Sequence, residues 1–232
     1  MELSKEVVKA FAVVLCVTSA VGCVSGKALE ADLTSPSYQG RPEITESLFA
    51  SDQAVIGNEE IQTLLTSKIT LPQEAHVAIL RFGEQFRESV PEVQSNTAFM
   101  ERLQACPRLR HVSLLPALLV PDKKTVPHLR EAAARYQADL LLVYQSRFDQ
   151  YYRYRTLRKD EAKARCSVEA ILLDVRTGVV PFSSVVTEEY VAKESETDFS
   201  FSETVDKAEQ EAVGRALLQL ADDLNAFLTA VP

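Results

Sequence analysis

Cys23 is the residue whose neighbours say most about its chemistry. It follows Ala20-Val21-Gly22 at the end of an apolar run from Ala10 to Val21, and Lys5 and Lys9 precede that run. A charged start, a short apolar core and small residues at the cut make a secretory signal. A cysteine directly after the cut makes the lipobox pattern, in which a diacylglyceryl group is placed on the thiol and the peptide is then cleaved. Ala20, Val21 and Gly22 therefore mark the cleavage site, and Cys23 is the expected lipidation site and first mature residue. The run falls short of the roughly 20 apolar residues of a spanning helix. Two or three acyl chains, as mature lipoproteins carry, would hold the chain stably where one would not. Val24, with no aspartate at that position, points to the outer membrane.

The other reactive residue types do not cluster. His76, His111 and His128 are scattered, with no cysteine or carboxylate at metal-ligand spacing, and read as ordinary surface or half-buried histidines. There is no Gly-x-Ser-x-Gly, Walker loop, dinucleotide glycine cluster or His-Glu-x-x-His motif. Ser183 and Ser184 have no base nearby in sequence. The expectation is a protein that is not an enzyme, with no catalytic residues, no metal and no cofactor. Cys106 and Cys166 would meet an oxidising compartment, which permits a disulfide. Their expected places, at a helix end and at the start of a distant strand, favour two buried, unbridged thiols.

The residues most suited to binding are Arg147, Tyr151, Tyr152, Arg153, Tyr154 and Arg155, followed by Arg158, Lys159, Lys163 and Arg165. Arginine with tyrosine is enriched where partners are gripped, and this stretch is basic on a chain of net charge −8. It suits a partner protein, peptidoglycan or lipid headgroups. The plainer reading is an exposed strand pair whose alternating charges block aggregation. An acidic set, Glu188, Glu189, Glu194, Glu196 and Asp198, reads as a solvated loop between the last strand and the last helix. The acidic balance argues against nucleic acid.

The elements that must carry these residues follow from patterning. Residues 1–22 form the signal, 23–45 a Ser/Gly/Pro-containing tether, and 46–232 one α/β domain. Asn58 should cap a short helix bearing Ile61, Leu64 and Leu65 that packs on the domain. Strands are expected at His76–Phe82, His111–Leu115 and Asp139–Tyr144, separated by helices from about Ser95 to Cys106 and around Leu129–Tyr136. Strand, helix, strand, helix, strand implies parallel pairing. Cys166–Asp174 and Val179–Tyr190 then read as antiparallel strands about the Asp174–Gly178 turn, where glycine supplies positive φ. Ser200 to Glu203 reads as a capping box opening a long helix to about Leu228. The expected fold is a mixed five-stranded sheet, three strands parallel and two antiparallel, with flanking helices and a long C-terminal helix.

Three passages carry a resemblance: Val77 to Phe82, Leu129 to Val143, and Leu173 to Gly178. With them the chain resembles periplasmic lipoprotein domains such as the amino-terminal domain of TolB, the curli secretion channel lipoprotein and the lipoprotein activators of penicillin-binding proteins. Cys106-Pro107-Arg108-Leu109 and Phe148-Asp149-Gln150 make it more similar to the rhombotarget lipoprotein family. It departs from that family between the third and fourth strands, where the link from Arg153 to Arg165 is short and charged. The alternating apolar segments of a membrane pore are missing there. The resemblance implies a lipid-anchored envelope protein, facing the periplasm, that binds another envelope component as an assembly or regulatory accessory. The alternative is a self-associating structural lipoprotein of the outer membrane.

Overall fold

In the computed structural model the described residues are 48, 57–66, 69–82, 90–120, 122–153 and 161–231. The expected signal, Cys23 and the whole of the expected tether, 23–45, lie outside them. In chain order the elements are α1 (Asn58–Thr66), β1 (Ala75–Phe82), α2 (Val90–Gln104), β2 (Leu109–Leu114), a 3-10 turn (Ala117–Leu119), α3 (Val126–Arg135), β3 (Leu140–Arg153), β4 (Glu161–Asp174), β5 (Phe182–Lys193) and α4 (Phe201–Ala230).

The five strands form one sheet in the order β2-β1-β3-β4-β5. β1 pairs in parallel with both β2 and β3. The β3–β4 and β4–β5 pairs are antiparallel. This is the expected mixed sheet. Val77, Ala78, Ile79 and Leu80 of β1 are all buried, so the strand is covered on both faces and its sequence runs apolar without alternation.

The two faces bury separate clusters. One joins Ile79, Leu140, Leu142, Cys166, Val168 and Leu172 of the sheet to Phe99 and Leu103 of α2 and to Leu217, Leu220 and Leu224 of α4. The other joins Leu80, Leu141, Val143 and Leu173 to Leu129, Ala132 and Ala133 of α3. Each fully buried leucine contributes about 1.5–3 kcal/mol of transfer free energy. α4 presents Ala208, Ala212 and Ala216, none of them exposed, while β4 carries Ala162, Ala164 and Ala170 in the same cluster. Small residues on both partners let the helix lie close along the strand.

Several elements differ from the sequence expectation. β3 and β4 are longer: residues 161–165, which read as part of a charged link, are paired strand, Arg153 standing opposite Glu161 in register. The cause is composition, since polar alternation beyond Tyr144 carries no apolar run. β5 starts later than Val179, because residues 175–181 make the turn and its exit. α2 starts at Val90, ahead of Ser95, and β2 at Leu109, ahead of His111. Gln104 ties these two together, its side chain accepting from the Val112 amide at 2.8 Å and donating to the Leu109 carbonyl at 3.2 Å.

The capping box at Ser200 does not form. Ser200 makes no side-chain cap bond, and its hydroxyl pairs with Ser202 at 2.6 Å. Glu203 instead accepts from the Phe199 amide at 3.2 Å, and Asp198 accepts from the Ser195 amide and the Thr204 hydroxyl. Helix α1 forms, but Asn58 is its first residue rather than its cap, the Gly57 carbonyl accepting from the Ile61 amide at 3.0 Å, and its apolar side chains do not pack: Ile61, Leu64 and Leu65 are exposed. Leu48 of the same leading segment does pack on the second cluster, and its carbonyl accepts from the Val126 amide at 3.0 Å.

Candidate functional site

The α3 layer covers only part of its face of the sheet. At the end of β1, Lys124 stands 5.3 Å from the ring centroid of Phe82. Phe82 is level with Gln145 on β3. Past this level β3, β4 and β5 continue as a three-stranded antiparallel extension. Alternation sends one set of side chains toward α4 and the other to the opposite face. That second set includes Gln145, Arg147, Asp149 and Tyr151 on β3, Glu169, Ser167, Arg165 and Lys163 on β4, and Val185, Thr187, Glu189 and Val191 on β5.

This face is open. Val185 is 68% and Val191 47% exposed, while Arg147, Arg165, Glu169, Thr187 and Glu189 are exposed as well. Its charges form a ladder across the strands. Arg147 lies 3.7 Å from Glu169, which also accepts from the Gln145 side-chain Nε2 at 3.1 Å. Lys163 lies 2.6 Å and Arg165 3.9 Å from Glu189. Ser167 and Thr187 share a hydrogen bond of 2.9 Å. The hydrogen bond from Lys163 is the largest influence holding the Glu189 carboxyl below its usual range. Exposed pairs of this kind add only about 0.2–1 kcal/mol each. Their weight lies in setting a fixed pattern of charge and hydrogen-bond groups.

The structure therefore places two of the six expected contact residues, Arg147 and half-buried Tyr151, on one surface. Tyr152 and Arg153 are fixed by backbone pairing to Ala162 and Glu161, with their side chains outside the described set. Tyr154 and Arg155 lie outside the described residues, as do Ala20, Val21, Gly22 and Cys23. On the described part of this surface the basic side chains stand beside acidic ones, Arg147 by Glu169 and Lys163 and Arg165 by Glu189. Glu188 and Glu189 are not in a loop; they belong to β5, and Glu189 sits against the basic side chains of β4. The acidic set is also not wholly solvated, for the Asp198 side chain has no exposed surface. Val185 and Val191 were missed, although their alternation with Thr187 and Glu189 was a readable signal.

The histidines are placed separately. His76 is buried, contrary to expectation, with Nδ1 2.9 Å from the Gln137 carbonyl and Nε2 2.9 Å from the Ser113 hydroxyl. His111 packs beside it, ring centroids 5.0 Å apart, and His128 pairs with the Thr125 hydroxyl at 2.7 Å. Among the described residues no group of three or more His, Cys, Asp or Glu is placed to hold a metal. Cys106 and Cys166 are buried in one cluster and not bridged. Cys166 lies within β4 rather than at its start, because the strand begins at Glu161. Among the described residues no helix is long and apolar enough to cross a membrane.

No protein-family model matches the chain, and no curated protein matches its sequence. Bacterial lipoproteins are among the solved structures it resembles. A minor lipoprotein from Acinetobacter baumannii is 10% identical, over 68% of this chain and 94% of that one, with a TM-score of 0.39. The PelC dodecamer from Paraburkholderia phytofirmans is 18% identical, over 67% and 94%, with a TM-score of 0.35. The C-terminal domain of LpoB from Salmonella enterica is 8% identical, over 55% and 90%, with a TM-score of 0.30. No functional argument follows from likeness at that level.

Proposed function

We propose that this chain is a lipid-anchored protein of the bacterial envelope, related to the rhombotarget lipoproteins, that binds another envelope component as an assembly or regulatory accessory. The observation that carries the binding role is the open outer face of β3–β4–β5. Three strands of fixed register hold Arg147, Tyr151, Lys163 and Arg165 among Glu169 and Glu189, with Val185 and Val191 exposed between them. A rigid sheet presents these groups with little ordering cost on association. Anchoring is carried by the lipobox at Ala20 to Cys23, with the outer membrane, periplasmic side, as the expected location. A non-enzymatic role fits the lack of any sequence motif that would assemble a reactive centre.

The test is a crosslinking pull-down of the full chain from its native envelope, with mass spectrometry of what is recovered. A discrete envelope partner is expected. Recovery should fall when Arg147 is replaced by Glu, or when Tyr151, Tyr152 and Tyr154 are replaced by Ala. Labelled palmitate should enter the wild type and not Cys23→Ser. No partner with the wild type, or unchanged recovery with both variants, contradicts the binding role.

A second reading, a self-associating structural lipoprotein, is favoured by one observation: β5 ends the sheet, and among the described residues no backbone hydrogen bond leaves its far side.

A further inference from the structure

We propose that β5 pairs with β5 of a second copy of this chain across a two-fold axis at Thr187, joining two sheets into one. The inference rests on the self-associating reading and is independent of the binding of another envelope component.

β5 lacks most of the usual protections of an edge, its mid-strand charges being Glu188 and Glu189. Sheet edges are normally blunted by proline, bulges, short length or charged side chains, lysine above all. Phe182–Lys193 is twelve residues long, contains no proline or glycine, carries its one lysine at the end, and pairs with β4 without a bulge. Val185, Val186, Thr187 and Val191 are β-branched, and Tyr190 is aromatic, all favourable in strands.

The charges on α4 select the partner and the register. The Ser184 hydroxyl donates to Asp223 Oδ2 at 3.4 Å, which puts Asp223 level with Ser184. Arg215 Cζ stands 4.7 Å from the ring centroid of Tyr190, which puts Arg215 level with Tyr190. An antiparallel pair centred on Thr187 sets Ser184 opposite the partner's Tyr190. Asp223 of each copy then faces Arg215 of the other, twice, by symmetry.

α4 lies along both β4 and β5. The two α4 helices therefore run antiparallel on the same face, about 10 Å apart given strand spacings of about 4.8 Å, which is a helix-packing distance. In the separate copy these charges already have exposed partners, Arg215 with Glu211 at 4.0 Å and Asp223 with Gln219 at 2.8 Å.

The neighbouring registers are worse. A shift in one direction sets Glu188 against the partner's Glu188. A shift in the other sets Ser184, and with it Asp223, against the partner's Glu188. A slip of one residue turns every side chain to the wrong face. In the Thr187 register Glu188 faces Val186 and Glu189 faces Val185, so no like charges stand directly opposed. About eleven backbone hydrogen bonds would form, close to the number in a typical specific interface.

The test uses the full chain in mild detergent. Light scattering across the micromolar range should give a dimer. Thr187→Cys, treated with a short thiol-to-thiol crosslinker, should be trapped as dimer, because directly opposed Cβ atoms lie about 5 Å apart. Val185→Cys should not be trapped beyond the wild-type background, since its own copy lies four residues along, about 13 Å away. Asp223→Arg should weaken the dimer by roughly tenfold or more, and adding Arg215→Asp should restore it. A monomer at every concentration overturns both the self-associating reading and the interface. A dimer that Thr187→Cys does not trap, or that the charge exchange leaves unchanged, keeps self-association and overturns the β5 interface.

Discussion

Asp198 shows how a residue that reads as solvated becomes a structural acceptor. Its carboxylate holds the start of α4 by accepting from Lys207, the Ser195 amide and the Thr204 hydroxyl. The hydrogen bond from Lys207, then that from Ser195, pulls its pKa from 3.8 to about 2. A carboxyl held below its unfolded value stabilises the fold above that value, and the contribution is lost as pH falls through the folded one. The Asp198 contribution is therefore complete above about pH 4 and disappears toward pH 2. Stability against pH, measured by denaturant unfolding, should decline over that window in the wild type. Asp198→Asn should be less stable at neutral pH and show a flatter profile there. The sequence did not reveal this role, because its donors come from both sides of the α4 start and only the folded turn assembles them. His76 was hidden in the same way: its ring partners, Ser113 and Gln137, are distant in sequence.

At the scale of elements, the apolar parts were readable and the polar extensions were not. Val77–Leu80 of β1 and the first five residues of β3 are continuous apolar runs, and the spacing of Leu129, Ala132 and Ala133 marked α3. The outer halves of β3 and β4 alternate charged and small residues, a pattern that a loop also shows, so the open face was placed too short. The Asp174–Gly178 turn was readable from its residues. Asp174 accepts from the Arg176 amide and the Thr177 hydroxyl, both at 2.9 Å, and Gly178 sits at φ 78°. A Cβ added at Gly178 would come 3.0 Å from Arg130 Nη1. The same guanidinium donates to the carbonyls of Val175 and Arg176. Gly178→Ala should thus lower stability by about 1–2 kcal/mol through the left-handed backbone, with some loss of the Arg130 bonds in addition. Chemical denaturation would read this, and a stability equal to wild type would refute the strain.

For the whole molecule, the architecture separates holding from contacting. α2, α4 and the inner sheet face supply the larger core, and α3 covers only the apolar start of the outer face. What remains is a stiff, charged and partly apolar surface with no helix over it among the described residues. The sequence carries an expectation of compartment in Cys23 and its neighbours, but no signal of this surface, which exists only once three strands are in register. The most direct test of its role is a photoreactive side chain at Tyr151 in the full chain, activated in its native envelope. The expected result is a single discrete adduct with another envelope component, absent when the same group stands at Glu131 on the exposed side of α3. No adduct from Tyr151, or the same adduct from both positions, would contradict the assignment of the open face as the binding surface.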